Sequence, residues 1–215
     1  MLTFAEELLL LALDDKKGVI KPLPCHSMRF ALTGALLMEL AMAGRIDTDL
    51  DSLQVINPEP TGNQLLDEFL ERLKDSDSPR NTEYWLNELA WNTENLQDRT
   101  LQQLVHKGIL KIEDRKILWV FARRCYPLID DQEVKEVKTR LREVILSRDI
   151  PDPRDAVLIS LIQSCNLFKE IFTQEELERV MPWITNLAKL DLIGREVNQS
   201  IHKIFLAMTS SSISY

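Results

Sequence analysis

Cysteine, histidine and glycine are scarce in this sequence, and each shortage closes off a class of chemistry. The three cysteines, Cys25, Cys125 and Cys165, are odd in number and show no CxxC spacing. Neither a disulfide framework nor a zinc ribbon is predicted, and a reducing compartment fits. The three histidines, His26, His106 and His202, fall in distant segments, and the adjacent pair Cys25 and His26 is not spaced as a nucleophile and its base. With only six glycines there is no Gly-rich phosphate loop, and the HExxH, GxSxG and EF-hand spacings are missing too. Positive charge is also short, 26 Lys and Arg against 34 Asp and Glu for a formal net charge of -8. That balance argues against nucleic acid as a partner, because neutralising phosphates needs a basic footprint. No apolar run reaches the ~20 residues of a membrane span. The N-terminal apolar run is bracketed by Glu6, Glu7, Asp14 and Asp15, unlike a signal peptide. A cytoplasmic protein without metal or cofactor is expected.

Apolar residues are plentiful, 45% of 215, enough for a single domain with a sizeable core. Thr3-Phe4-Ala5-Glu6 has capping-box spacing ahead of the run Leu8 to Leu13 and predicts a first helix almost at the initiator Met. After Lys21-Pro22-Leu23-Pro24, the block Met28 to Ala43 is apolar at nearly every angle and ends at Gly44, a good left-handed cap. A helix apolar all round is buried, so this block is read as the central helix that the others wrap. Short strands are expected within Arg45 to Ile56, then amphipathic helices over Leu65 to Leu73, Tyr84 to Trp91 and Leu96 to Val105.

Ile109 to Ile112 and Ile117 to Phe121 flank the charged run Glu113-Asp114-Arg115-Lys116, which predicts a projecting β-hairpin over about 109-121. Asp130 to Ser147 is strongly amphipathic, and Asp152-Pro153 starts a second buried helix through Ile162. Thr173 to Glu176 repeats the capping-box spacing, Pro182 is expected to interrupt the helix after it, and Ile193 to Met208 is read as a terminal helix. The fold class is mostly α, buried central helices wrapped by amphipathic ones, with a small β element and the hairpin. The acidic pairs Glu6-Glu7, Asp14-Asp15 and Asp130-Asp131 sit at predicted helix ends, where carboxylates favour the macrodipole or solvent, and none is assigned to catalysis.

Four stretches, taken in order, resemble the Golgi phosphoprotein 3 family of phosphatidylinositol-4-phosphate-binding adaptors, which also has bacterial relatives. They are Leu2 to Leu13, Leu37-Met38-Glu39-Leu40-Ala41 with Gly44-Arg45-Ile46, Pro60-Thr61-Gly62 followed by Leu65-Leu66-Asp67-Glu68, and Leu104 to Leu110. The resemblance implies a mostly helical domain, no catalytic activity, and a hairpin used in membrane contact or self-association. It also implies a headgroup site made by a tryptophan before the central helix, a basic residue on it, and a basic pair on the helix preceding the hairpin. Aligned without gaps on Glu39 and Leu40, Pro24 takes the tryptophan position and Thr33 the basic one. Aligned on Lys107-Gly108, Glu94 and Gln97 take the basic pair.

None of these four offers the charge-assisted donors that a phosphomonoester needs, and Glu94 repels one. Lys21, Arg29 and Arg99 are the basic residues near the departures. Arg29 precedes Thr33 by four residues, one turn away on the same face. Two readings of Arg29 stand side by side, a relocated headgroup contact and a cap on the polar mouth of a buried helix. On the hairpin, Arg115, Lys116, Leu118, Trp119 and Phe121 are the expected contacts, with a membrane interface or with a second subunit. A winged-helix use of the same hairpin on DNA ranks third, given the acidity. The expected function is a non-enzymatic peripheral membrane adaptor on anionic phospholipid, phosphatidylinositol-4-phosphate being the family's lipid, with homo-oligomerisation through the hairpin. The alternative is a soluble protein-interaction scaffold of the same fold.

Overall fold

Thr3 begins the fold as the spacing predicts. Its hydroxyl accepts from the Glu6 amide at 3.3 Å, while the Glu6 carboxylate accepts from the Thr3 amide at 2.7 Å. Helix α1, Phe4–Ala12, follows, and every residue in it is buried, Glu6 and Glu7 included. The structure is a computed structural model that describes residues 1–48, 52–76, 78, 80–117, 121–187, 193, 195, 196 and 199. The order continues with α2 (Ser27–Met42), β1 (Ile46–Thr48), β2 (Leu53–Val55), α3 (Gln64–Lys74), α4 (Thr82–Asn92) and α5 (Leu96–His106). Then come β3 (Glu113–Ile117), β4 (Phe121–Cys125), α6 (Gln132–Ser147), α7 (Pro153–Ser164), a 3-10 turn (Phe168–Glu170) and α8 (Gln174–Leu187). The architecture is mostly helical with two small antiparallel hairpins.

Helix α2 is the hub, packing against α1, α3, α4, α5, α7 and β1. Its burial runs from Phe30 through Met38 without a break, because apolar side chains at all angles find cover only inside a bundle. The second enclosed helix is α1, which touches α2, α5, α6 and α7. Leu8, Leu9, Leu10 and Leu11 are all essentially inaccessible, each contributing about 1.5–3 kcal/mol of apolar burial. Helix α7 is one-sided by comparison, with Leu158 to Ile162 buried and Ala156 and Val157 half-exposed.

The β3–β4 hairpin lies four residues further along the chain than its pattern predicts. The charged run Glu113 to Lys116 forms strand β3 instead of the loop, with Asp114 opposite Arg124 and Ile117 opposite Phe121. Ile109 and Leu110, expected in the first strand, are buried core residues, and Leu110 bridges to Leu128. Burial of this apolar pair as the chain leaves α5 outweighs the loop character of a charged tetrapeptide, in which Asp114 faces Arg124 but Arg115 faces Arg123. The hairpin's base rests on the α1–α2 connector. Tyr126 donates its amide to the Gly18 carbonyl at 2.6 Å, and Gly18 holds φ 65°, where a Cβ would come within 2.6 Å of the Pro127 nitrogen. Only glycine fits that approach.

Pro182 does not interrupt α8, which runs through it. Pro182 and Glu178 are both exposed, so the carbonyl that the missing N–H would have bonded can take water. Of the predicted terminal helix, Ile193, Arg195, Glu196 and Gln199 are helical, and the rest lies outside the described residues.

Candidate functional site

At the start of α2 the chain leaves Pro24 and turns through His26, a left-handed residue with φ 59°. Ser27 closes this turn, its hydroxyl and its amide both donating to the Pro24 carbonyl. The turn puts Arg29 on the exposed side of the first helical turn, where α4 ends against it. The Arg29 Nη1 donates to the Ala90 carbonyl at 3.0 Å, and its guanidinium lies 5.2 Å from the centre of the Trp91 ring. His26 and Phe30 meet the same indole edge-on, with ring centres 5.0 and 5.7 Å away. Trp91 stays 47% exposed. Beside this cluster opens a cavity of about 250 Å³, lined by Arg29, Leu32, Thr93, Asn95, Gln97 and Asp98 among others.

The structure brings some of the expected residues to this place and sends others elsewhere. Gln97 lines the cavity with Arg29. Glu94 is exposed on the turn between α4 and α5, and Pro24 is exposed in the lead to α2. Thr33 lies one turn deeper, fully buried, its hydroxyl donating to the Arg29 carbonyl at 3.0 Å. Lys21 is paired with Glu170 at 3.0 Å, and Arg99 with Glu68 at 2.5 Å. Arg99 borders a separate groove of about 760 Å³ with Asn63, Gln102, His106 and Lys107. On the hairpin, Arg115 is held by Glu113 at 3.1 Å and by the carbonyls of Lys16 and Lys17. Leu118 and Trp119 lie outside the described residues, as do the side chains of Lys116 and Phe121.

Trp91, His26, Asn95 and Asp98 belong to this cluster, and sequence reasoning does not find them. The one signal is the short turn from Trp91 into α5, which forces the end of α4 close to α2. Neither Cys125 nor Cys165 offers a nucleophile here. Both are buried, and burial pushes the Cys165 thiol up to about 12.

A second charged cluster lies at the start of α1. Arg140 binds Glu7 at 3.1 Å and Asp155 at 2.7 Å, while Arg154 reaches Glu39 at 3.3 Å and the Leu2 carbonyl at 2.5 Å. The Phe4 amide donates to Glu39, and Arg154 stacks over the Phe4 ring. Burial pushes the Glu7 and Asp155 carboxyls above their ordinary values, against the pull of the arginines. Perturbed carboxyls can mark a reactive site. Here they tie the N-terminal segment and α1 to α2, α6 and α7, which is structural work.

The family model for Golgi phosphoprotein 3 matches residues 4–204. The chain belongs to the Golgi phosphoprotein 3 family. Vacuolar protein sorting-associated protein 74 of Eremothecium gossypii is 31% identical over 170 residues, covering 69% of this chain and 50% of that protein. This family member therefore spans about half the length of the curated relative it matches. Among the described residues no helix is long and apolar enough to cross a membrane.

Proposed function

We propose that this Golgi phosphoprotein 3 family member is a non-catalytic peripheral adaptor that docks on anionic lipid through the Arg29 cluster and presents its helical surface to partner proteins. One observation carries the reading. Arg29 is exposed at a cavity mouth, oriented by the Ala90 carbonyl and the Trp91 ring, with its Nε and Nη2 donors unspent within the described chain. A half-exposed tryptophan beside a cation suits the headgroup level of a bilayer. A basic residue near an anionic surface contributes about 1 kcal/mol. The site lies on the cytoplasmic face of a membrane in this reading, and self-association through the β3–β4 hairpin is compatible with it.

Liposome flotation tests it. Arg29→Ala is expected to lower partitioning onto anionic vesicles about fivefold, and Trp91→Ala is expected to lower it too, with neither changing the helical circular dichroism. The acidity of the surroundings, Glu94 and Asp98 next to a chain of net charge -8, favours a second reading, a scaffold of the same fold without lipid recognition. Failure of the unaltered protein to float with any anionic vesicle selects that second reading.

A further inference from the structure

Toward the C-terminal end of α5, away from the Arg29 cluster, the groove of about 760 Å³ has a different character. Arg99, Gln102, Gln103 and His106 recur at i, i+3, i+4 and i+7, so one stripe of α5 forms a wall, continued by Lys107. Asn63 and Gln64, where α3 begins, form the other wall. In a chain of net charge -8, this lining holds no carboxylate among the described residues. Arg99 and Lys107 begin and end the stripe, and their ion-pair partners, Glu68 and Glu6, lie outside the lining. Arg99 gives Glu68 only its Nη2, so Nε and Nη1 stay unspent within the described chain.

The carboxamides between these two cations are largely free. Gln64 and Gln102 form no side-chain hydrogen bond within the described chain, and Gln103 gives its Nε2 to the Asn63 Oδ1 at 3.3 Å, which leaves the Gln103 oxygen and the Asn63 Nδ2 open. A carboxamide both donates and accepts. A peptide backbone does the same at each residue, whereas a phosphate group presents acceptor oxygens and would leave the amide oxygens of the walls unused. Spacing points the same way. Arg99 and Lys107 are eight residues apart, about 12 Å along a helix, too far for one phosphate to bridge. An extended chain covers that distance in about four residues, and side chains four apart emerge on one face. At about 760 Å³ the groove has room for roughly 25 waters, the scale of a short segment instead of an ion.

We propose that this groove seats an extended segment of a partner protein, its backbone held by the carboxamides and two acidic side chains, four residues apart, received by Arg99 and Lys107. The proposal rests on the adaptor reading, of which it names the partner surface and the partner's chemistry, and it does not depend on lipid. Fluorescence anisotropy of the full chain with the fluorescein-labelled peptide Gly-Glu-Ser-Ala-Ser-Glu-Gly, in the absence of vesicles, tests it. The peptide is expected to bind at least about fivefold tighter than its counterpart with glutamine at both glutamates, the scale of two exposed ion pairs, and added salt should shrink that margin. Arg99→Gln should remove much of the margin, while Gln102→Ala should weaken both peptides alike, with the helical circular dichroism unchanged in each variant. Arg29→Ala should leave peptide binding as it is. Equal affinity for the two peptides overturns the acidic assignment, and unchanged affinity in both Arg99→Gln and Gln102→Ala overturns the groove as the seat. Full displacement by millimolar inorganic phosphate replaces the polypeptide with a small anion. No measurable binding of the acidic peptide overturns the proposal and leaves the lipid reading of the Arg29 site in place, since flotation decides that reading separately.

Discussion

Thr33 and Arg29 share a helix face, yet they differ wholly in what surrounds them. Thr33 is inaccessible and its hydroxyl is already bonded to the Arg29 carbonyl, so the basic residue that the family resemblance places at this position has no route to solvent here. Arg29, one turn nearer the helix start, is exposed and bonded to α4. Putting the basic residue back at the aligned position is therefore expected to damage the fold. Thr33→Arg buries an unpaired charge in a packed bundle and should lower stability by more than about 4 kcal/mol or prevent folding, as urea unfolding followed by circular dichroism would show. A well-folded Thr33→Arg protein with near-native stability would mean that the face opens to water and that Thr33 belongs to the site.

At the scale of elements, local rules held where a side chain acts on its own backbone and failed where a neighbour element decides. Caps at Thr3, Asp152 and Thr173 form as their spacing implies, because an N-cap needs only atoms within one turn. The hairpin register did not follow local composition, because Ile109 and Leu110 had core to fill. Pro182 is the other case. A proline in a helix interior costs about 3 kcal/mol, and α8 accepts it because α7 and α6 hold the buried side of the helix through Val180 and Ile184. Pro182→Ala should therefore raise stability by about 1–3 kcal/mol, seen as a higher thermal midpoint. A lower midpoint would show that the proline itself is needed for docking α8.

Across the whole molecule, buried charge and exposed charge pull the pH profile in opposite directions. Glu7 and Asp155 titrate above their ordinary values because burial disfavours their charged forms. Between a carboxyl's ordinary value and its raised folded one the folded protein holds a proton that the unfolded chain has released, so the contribution of these two groups to stability grows as pH falls toward the usual carboxylate range. Glu176 has the reverse sign, since its hydrogen bonds to Arg142 hold its carboxyl down to about 2, and its contribution is lost as pH falls below its ordinary 4.5. The urea midpoint should therefore peak between about pH 4.5 and 7. The double variant Glu7→Gln with Asp155→Asn should flatten the limb between that peak and neutrality, and an unchanged limb in this variant would remove the buried carboxyls as its cause. How much of this was legible beforehand follows the range of the forces involved. Chain-local patterns determined the helices, their caps, the all-round apolar character of α2, the existence of two hairpins and the family, because periodicity and capping act within a few residues. Tertiary structure alone decided that α1 is sealed inside, that Lys21, Arg99 and Arg115 are taken up by Glu170, Glu68 and Glu113, and that Trp91 meets Arg29 across 62 residues of chain. Ion pairing, stacking and enclosure depend on which surfaces the packing brings within a few ångströms, and no spacing along the chain carries that information.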